Sequence, residues 1–91
     1  MTNTEDRRLR LIAVIAEILE VDVPVVRGEL RLREDLGMDS LGSLELLSTI
    51  SEELRIDLEM EHALELRTVD DACTFVERQY VQQHEAASAQ P

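Results

Sequence analysis

Residues 34–47 read EDLGMDSLGSLELL, and the second half of that stretch decides the fold. Asp39 and Ser40 are residue types that begin helices, because their side-chain oxygens accept from the backbone N–H groups that a first turn leaves unpaired. Behind them Ser43, Leu46, Leu47, Ile50 and Leu54 fall at i, i+3, i+4, i+7 and i+11, the spacing of one helix face, which predicts a helix over residues 40–55. Leu41, Leu44 and Ser48 lie on a different line of the same helix. One line can face a core, and the other cannot face the same way.

Upstream, residues 21–38 form a long connection carrying Val23, Val25, Val26, Leu30, Leu32 and Leu36, too many apolar side chains for a free linker. A loop of this length is expected to be packed down by its own apolar residues. Gly37 supplies the turn that delivers the chain to Ser40. Before the loop, Leu9, Ile12, Ala16 and Leu19, widened by Leu11, Ile15 and Ile18, predict an amphipathic first helix over residues 6–20, capped by Thr4 or Asp6. The β-branched run VDVPVV with Pro24 ends it.

Downstream, EMEHALE at residues 59–65 suits a short helix with Met60, Ala63 and Leu64 inward and His62 solvated. Thr68 with Asp71 makes a variant capping box for a last helix, with Val69, Ala72, Cys73, Val76 and Tyr80 on one face, fading near residue 83. The expectation is an all-α fold: a small four-helix bundle of three longer helices and one short one, with a long first loop. Residues 1–5 are read as a flexible N-terminus, 6–83 as the folded domain and 84–91 as a disordered tail.

Composition narrows the function. Ninety-one residues allow one small domain, and 2% aromatics argue against a base-stacking surface. The net charge of -11, with every basic residue an arginine, repels phosphate backbones and anionic lipid, so the expected partners are neither nucleic acid nor membrane but proteins with basic patches. The single cysteine, Cys73, permits no internal disulfide and is read as a small core residue; there is no zinc-type cluster. No stretch suits a signal peptide or a membrane span, which points to the cytosol.

Ser40 is the residue with chemistry to weigh. As a catalytic nucleophile it would need a base, and His62 and His84 are the only histidines, with no G-x-S-x-G elbow beside them. Asp35 and Asp39 do not give the ligand pattern of an EF-hand. A phosphodiester on Ser40, in contrast, would sit at a helix N-terminus, where unpaired N–H groups and the helix dipole favour an anion. Asp35 and Asp39 oppose that anion, and they make sense as an aid to attachment through a divalent cation. Leu41 and Leu44, with Glu45 and Glu52, then make an acidic face with apolar spots leading away from the serine.

The stretch D-x-G-M-D-S-L around Ser40 resembles the acyl carrier protein signature D-x-G-x-D-S-L, and the order of elements over residues 6–82 is similar to that family's. The resemblance implies a helical bundle that catalyses nothing itself and carries 4'-phosphopantetheine, from coenzyme A, on Ser40. It implies a phosphopantetheinyl transferase, an acyltransferase or acyl ligase, and a ketosynthase or other acyl-processing enzyme as partners. It places partner recognition on Leu41, Leu44, Glu45, Ser48 and Glu52 of a monomer. Two departures stand out. The common D-S-L-D is here Asp39-Ser40-Leu41-Gly42, and Ser48 replaces a larger apolar residue. Both lean towards polyketide or other specialised acyl assembly rather than primary fatty acid synthesis, and a chain that opens on Met1 and ends in a short tail is expected to be a discrete carrier rather than a domain of a larger synthase. A peptidyl carrier and an unmodified acidic interaction module are the alternatives.

Overall fold

A computed structural model describes residues 3–85. Three α-helices carry the fold: α1, Thr4–Leu19; α2, Ser40–Leu54; and α3, Val69–Tyr80. A 3-10 turn, Val23–Val25, interrupts the first loop, a 3-10 helix, Met60–Glu65, precedes α3, and a π turn, Val81–Glu85, extends it. The expected all-α bundle is present: among the described residues there is no strand, only an isolated bridge between Arg31 and Thr68.

Helix α1 begins two residues before the expected start, because Asn3, rather than Thr4 or Asp6, supplies the cap: its Oδ1 accepts from the Asp6 N–H at 2.8 Å. Thr4 and Glu5 are therefore helical rather than part of a flexible end, while residues 1–2 lie outside the described residues. Both α1 and α2 end at a non-glycine residue in the left-handed region, Glu20 (φ 57°) and Arg55 (φ 55°). Each then closes with a six-to-one bond, Val21 N–H to Ala16 O and Ile56 N–H to Ser51 O. So α1 stops on its own cap, before Pro24 acts.

The buried line of α1 differs from the expected stripe. Leu11, Val14, Ile15 and Ala16 are buried, Ile12, Ile18 and Leu19 are partly buried, and Leu9 is 54% exposed. Residues 11–16 are apolar at every position, so the pattern leaves the phase of the helix open, and packing against α2 and α3 selects it. Arg7 is buried on the same line. On α2 the expected line holds: Ser43, Leu46, Leu47, Ile50 and Leu54 are all buried. On α3 Val69, Ala72, Cys73 and Val76 are buried as expected, joined by Phe75, and burial raises the Cys73 thiol.

The long loop is packed down, but by a different subset of its side chains. Val26, Leu32 and Met38 enter the core, while Val23 and Val25 stay exposed. Backbone bonds lace it to the start of α3: Leu32 N–H to Arg67 O at 2.8 Å, Val69 N–H to Leu30 O at 3.0 Å and Asp70 N–H to Gly28 O at 2.9 Å. The loop is thus a fixed strap over one end of the bundle.

The short helix corrects two expectations. Met60 and Leu64 point outward, at 67% and 81% exposure, and only Ala63 packs partly inward. A 3-10 helix repeats every three residues, so an assignment of inward positions made on the α-helical period misplaces them. Ile56 and Leu66, flanking it, take the buried places. His62 is not a free solvated side chain either: its Nδ1 accepts from the Glu59 N–H at 3.0 Å, and its ring packs 4.7 Å from that of Phe75. At the far end His84 stacks on Tyr80 and bonds to the backbone carbonyls of Leu54 and Arg55. The π turn thus continues through His84 and Glu85, where the tail was expected to begin, and residues 86–91 lie outside the described residues.

Candidate functional site

The site is built on the entry to α2. Met38 is buried, and its N–H bonds to Leu32 O at 2.8 Å, which anchors the chain immediately before the helix. Gly37 adopts φ +76°, a conformation that side-chain-bearing residues resist, and so turns the loop into that anchor. Asp39 then takes the cap: its Oδ1 accepts the Gly42 N–H at 2.7 Å and its carbonyl accepts both the N–H and the hydroxyl of Ser43.

Because Asp39 is the cap, Ser40 is not. It is the first helical residue, exposed, and its hydroxyl makes no hydrogen bond among the described residues. Its own N–H and that of Leu41 also lack a partner there, as the geometry of a helix start requires. The arrangement leaves a free hydroxyl beside two donors at the positive end of a helix dipole.

Asp35 is occupied differently. Its carboxylate accepts from the Arg31 backbone N–H at 2.8 Å and from the Arg31 guanidinium at 3.2 Å, closing the loop turn; those hydrogen bonds hold its carboxyl below the ordinary range. Asp35 and Asp39 thus have separate structural tasks, and among the described residues no group of acidic, histidine or cysteine side chains is assembled to hold a metal.

The expected recognition residues do share one side of α2. Leu41 is 72% exposed, Leu44 is half-buried, and Glu45, Ser48 and Glu52 are exposed at helical spacing behind them. The structure adds residues that sequence reasoning missed. Leu58 and the outward Met60 join Leu44, Leu47 and Ser48 around a groove of ≈ 420 Å³ between α2 and the segment that follows it. A sequence signal existed only for their apolar character, since a period could not say that Met60 turns out. Gly42 explains itself sterically: a Cβ there would lie 3.2 Å from both Asp39 Oδ1 and Met38 Cγ.

Comparison with known proteins decides the family. The family described as phosphopantetheine attachment site matches residues 9–76. The acyl carrier protein of Treponema pallidum is 43% identical over 68 residues, which covers 75% of this chain and 87% of that one. The acyl carrier protein of Cylindrotheca sp. is 36% identical over 77 residues, 85% of this chain and 96% of its own, and that of Thermosynechococcus vestitus is 39% identical over 64, covering 70% and 79%. The chain belongs to the acyl carrier proteins. An acyl carrier protein is a carrier and not a catalyst, and it bears 4'-phosphopantetheine covalently attached. It meets a phosphopantetheinyl transferase and acyl-processing enzymes. The entry to α2 fits that group, since this carrier leaves a serine hydroxyl exposed and unbonded while a neighbouring aspartate does the capping. No helix among the described residues is long and apolar enough to cross a membrane.

Proposed function

We propose that Ser40 carries the phosphopantetheine arm and that this carrier serves polyketide or other specialised acyl assembly in the cytoplasm, as a monomer. One observation carries the first part: Asp39 caps α2 and leaves the Ser40 hydroxyl exposed, without an internal partner. When bound, the arm supplies a thiol that holds acyl groups as thioesters. The chain's residues present the attachment oxygen, favour the phosphate through the unpaired N–H groups of Ser40 and Leu41, and offer docking contacts. Asp39 Oδ2 accepts no bond among the described residues, which supports a role for Asp39 in attachment through a divalent cation; Asp35 would assist by shaping the turn.

Attachment forms a bond between Ser40 Oγ and the phosphorus of the pantetheine phosphate. It breaks the pyrophosphate link of coenzyme A, releases adenosine 3',5'-bisphosphate, and passes the hydroxyl proton to the transferase. Leu41, Leu44, Glu45, Ser48 and Glu52 form the surface read by the transferase, an acyltransferase or acyl ligase, and a ketosynthase. The pathway reading rests on two departures: buried Gly42, which leaves no acidic side chain directly after Leu41, and Ser48, which makes that surface less apolar further along.

Incubation with a broad-specificity phosphopantetheinyl transferase and coenzyme A, followed by intact mass, should add one phosphopantetheine to the chain and none to Ser40→Ala. A gain that survives Ser40→Ala would place the attachment elsewhere. For the pathway, the loaded carrier should be used faster by a polyketide ketosynthase than by one from fatty acid synthesis, and the reverse order would overturn that part.

A further inference from the structure

Outside the α2 surface, the strongest feature is a groove of ≈ 520 Å³ between the first loop and the start of α3, lined by Arg31, Arg33, Leu64, Leu66, Arg67 and Asp71 among others. Most arginines of this acidic chain near a carboxylate are paired: Arg7 with Glu77, Arg8 with Asp70, Arg10 with Glu53, Arg27 with Glu29, Arg31 with Asp35. Arg33 and Arg67 are exposed, and neither guanidinium has an ion pair among the described residues. The groove's own carboxylates already have partners within its lining, Glu34 with Arg31 at 3.9 Å and Asp71 with the Thr68 N–H. Leu64, 81% exposed, supplies an apolar wall beside the two cations.

A groove with an apolar wall and two guanidiniums that make no ion pair among the described residues fits a ligand with an aliphatic stem and an anionic end, since a planar guanidinium matches a carboxylate in paired hydrogen bonds. Its position selects among such ligands. Ser40 lies two residues beyond Met38, Met38 N–H meets Leu32 O, and Leu32 N–H meets Arg67 O, both at 2.8 Å. At most about 3.6 Å per residue and roughly 5 Å between hydrogen-bonded chains put Ser40 within roughly 17 Å of Arg67, a span that an extended phosphopantetheine arm bridges. We propose that Arg33 and Arg67 form a carboxylate subsite that holds the free end of an ω-carboxylated acyl group, a dicarboxylic acid carried as its mono-thioester. This rests on Ser40 bearing the arm. It makes these two residues specificity determinants for cargo, separate from the partner surface on α2.

The test loads the chain from glutaryl-coenzyme A or from pentanoyl-coenzyme A, which match in carbon count and differ in the end group, and confirms each by intact mass. Backbone amide spectra of the two forms should differ at Arg33, Leu64 and Arg67. In Arg33→Gln/Arg67→Gln the difference should shrink by about threefold or more, because losing charge-assisted contacts moves the held population by about an order of magnitude. Arg78→Gln, an exposed arginine away from the groove, should leave it unchanged. Equal spectra for the two cargoes, or a difference that persists in the double variant, would overturn the subsite while leaving the Ser40 reading intact. Absence of any mass gain would remove that reading and the subsite with it.

Discussion

The guanidinium of Arg7 and the carboxylate of Glu77 meet through two hydrogen bonds of 2.7 and 2.6 Å, joining the first turn of α1 to the last turn of α3. Arg7 is only 6% exposed, whereas the Glu77 side chain keeps 27% exposure. The Tyr80 ring lies 3.9 Å from the Arg7 guanidinium, so the cation is sandwiched rather than hydrated.

Removing the acceptor should therefore matter more than at a surface pair. Glu77→Ala leaves a buried guanidinium short of its two strongest bonds, which costs about 2 kcal/mol once the remaining solvent contact is allowed for. In a chain of this size that is a fall in melting temperature of roughly 10 °C. Circular dichroism melts of the two proteins measure it, and a shift under about 2 °C would mean that water replaces the carboxylate without loss.

Acid should erase that difference in a defined direction. Hydrogen bonds from Arg7 hold the Glu77 carboxyl below its usual range, so the folded chain binds this proton less readily than the unfolded chain. The contribution is complete above the unfolded value, about 4.3, and is lost as pH falls through the lower folded value. The melting temperatures of the parent and Glu77→Gln should stay apart from neutral pH down to about 5 and converge below about 4. A constant gap at every pH would contradict the assignment.

Leu41→Arg tests the α2 surface more cleanly than a change at half-buried Leu44. With Leu41 at 72% exposure, stability should move by no more than about 0.5 kcal/mol. Transfer from a partner enzyme should nevertheless slow by about tenfold, the loss expected of one apolar anchor and a reversed charge. Steady-state transfer rates at fixed enzyme concentration report this, and an unchanged rate would move recognition off this line.

Gly42→Asp restores the family's commoner residue and should destabilise this chain. Its Cβ would crowd Met38 and Asp39 Oδ1, each at 3.2 Å, and its charge would face the capping carboxylate. The expected cost is about 1–3 kcal/mol despite the gain over glycine in helix propensity. A melt that rises instead would show that Met38 and Asp39 can move aside freely.

Much of the site was legible in advance because it is local. D-S-L at the start of a periodic run marks a helix entry, and the two lines on α2 separate by spacing alone. What stayed open at that entry was which of Asp39 and Ser40 caps. The fixed anchor of Met38 on Leu32 settles it in favour of Asp39, and the freedom of the Ser40 hydroxyl follows.

By itself, the amino-acid order determined the helices, the Thr68–Asp71 cap of α3, the acidic balance and the serine at the head of α2, since capping and helical period act over a few neighbouring residues. Tertiary packing decided the buried line of the uniformly apolar α1, the outward turn of Met60 and Leu64, the burial of Arg7 and the meeting of Arg33 with Arg67 across one groove. Those outcomes depend on which distant element covers a side chain, and contacts between residues dozens of positions apart leave no period in the chain.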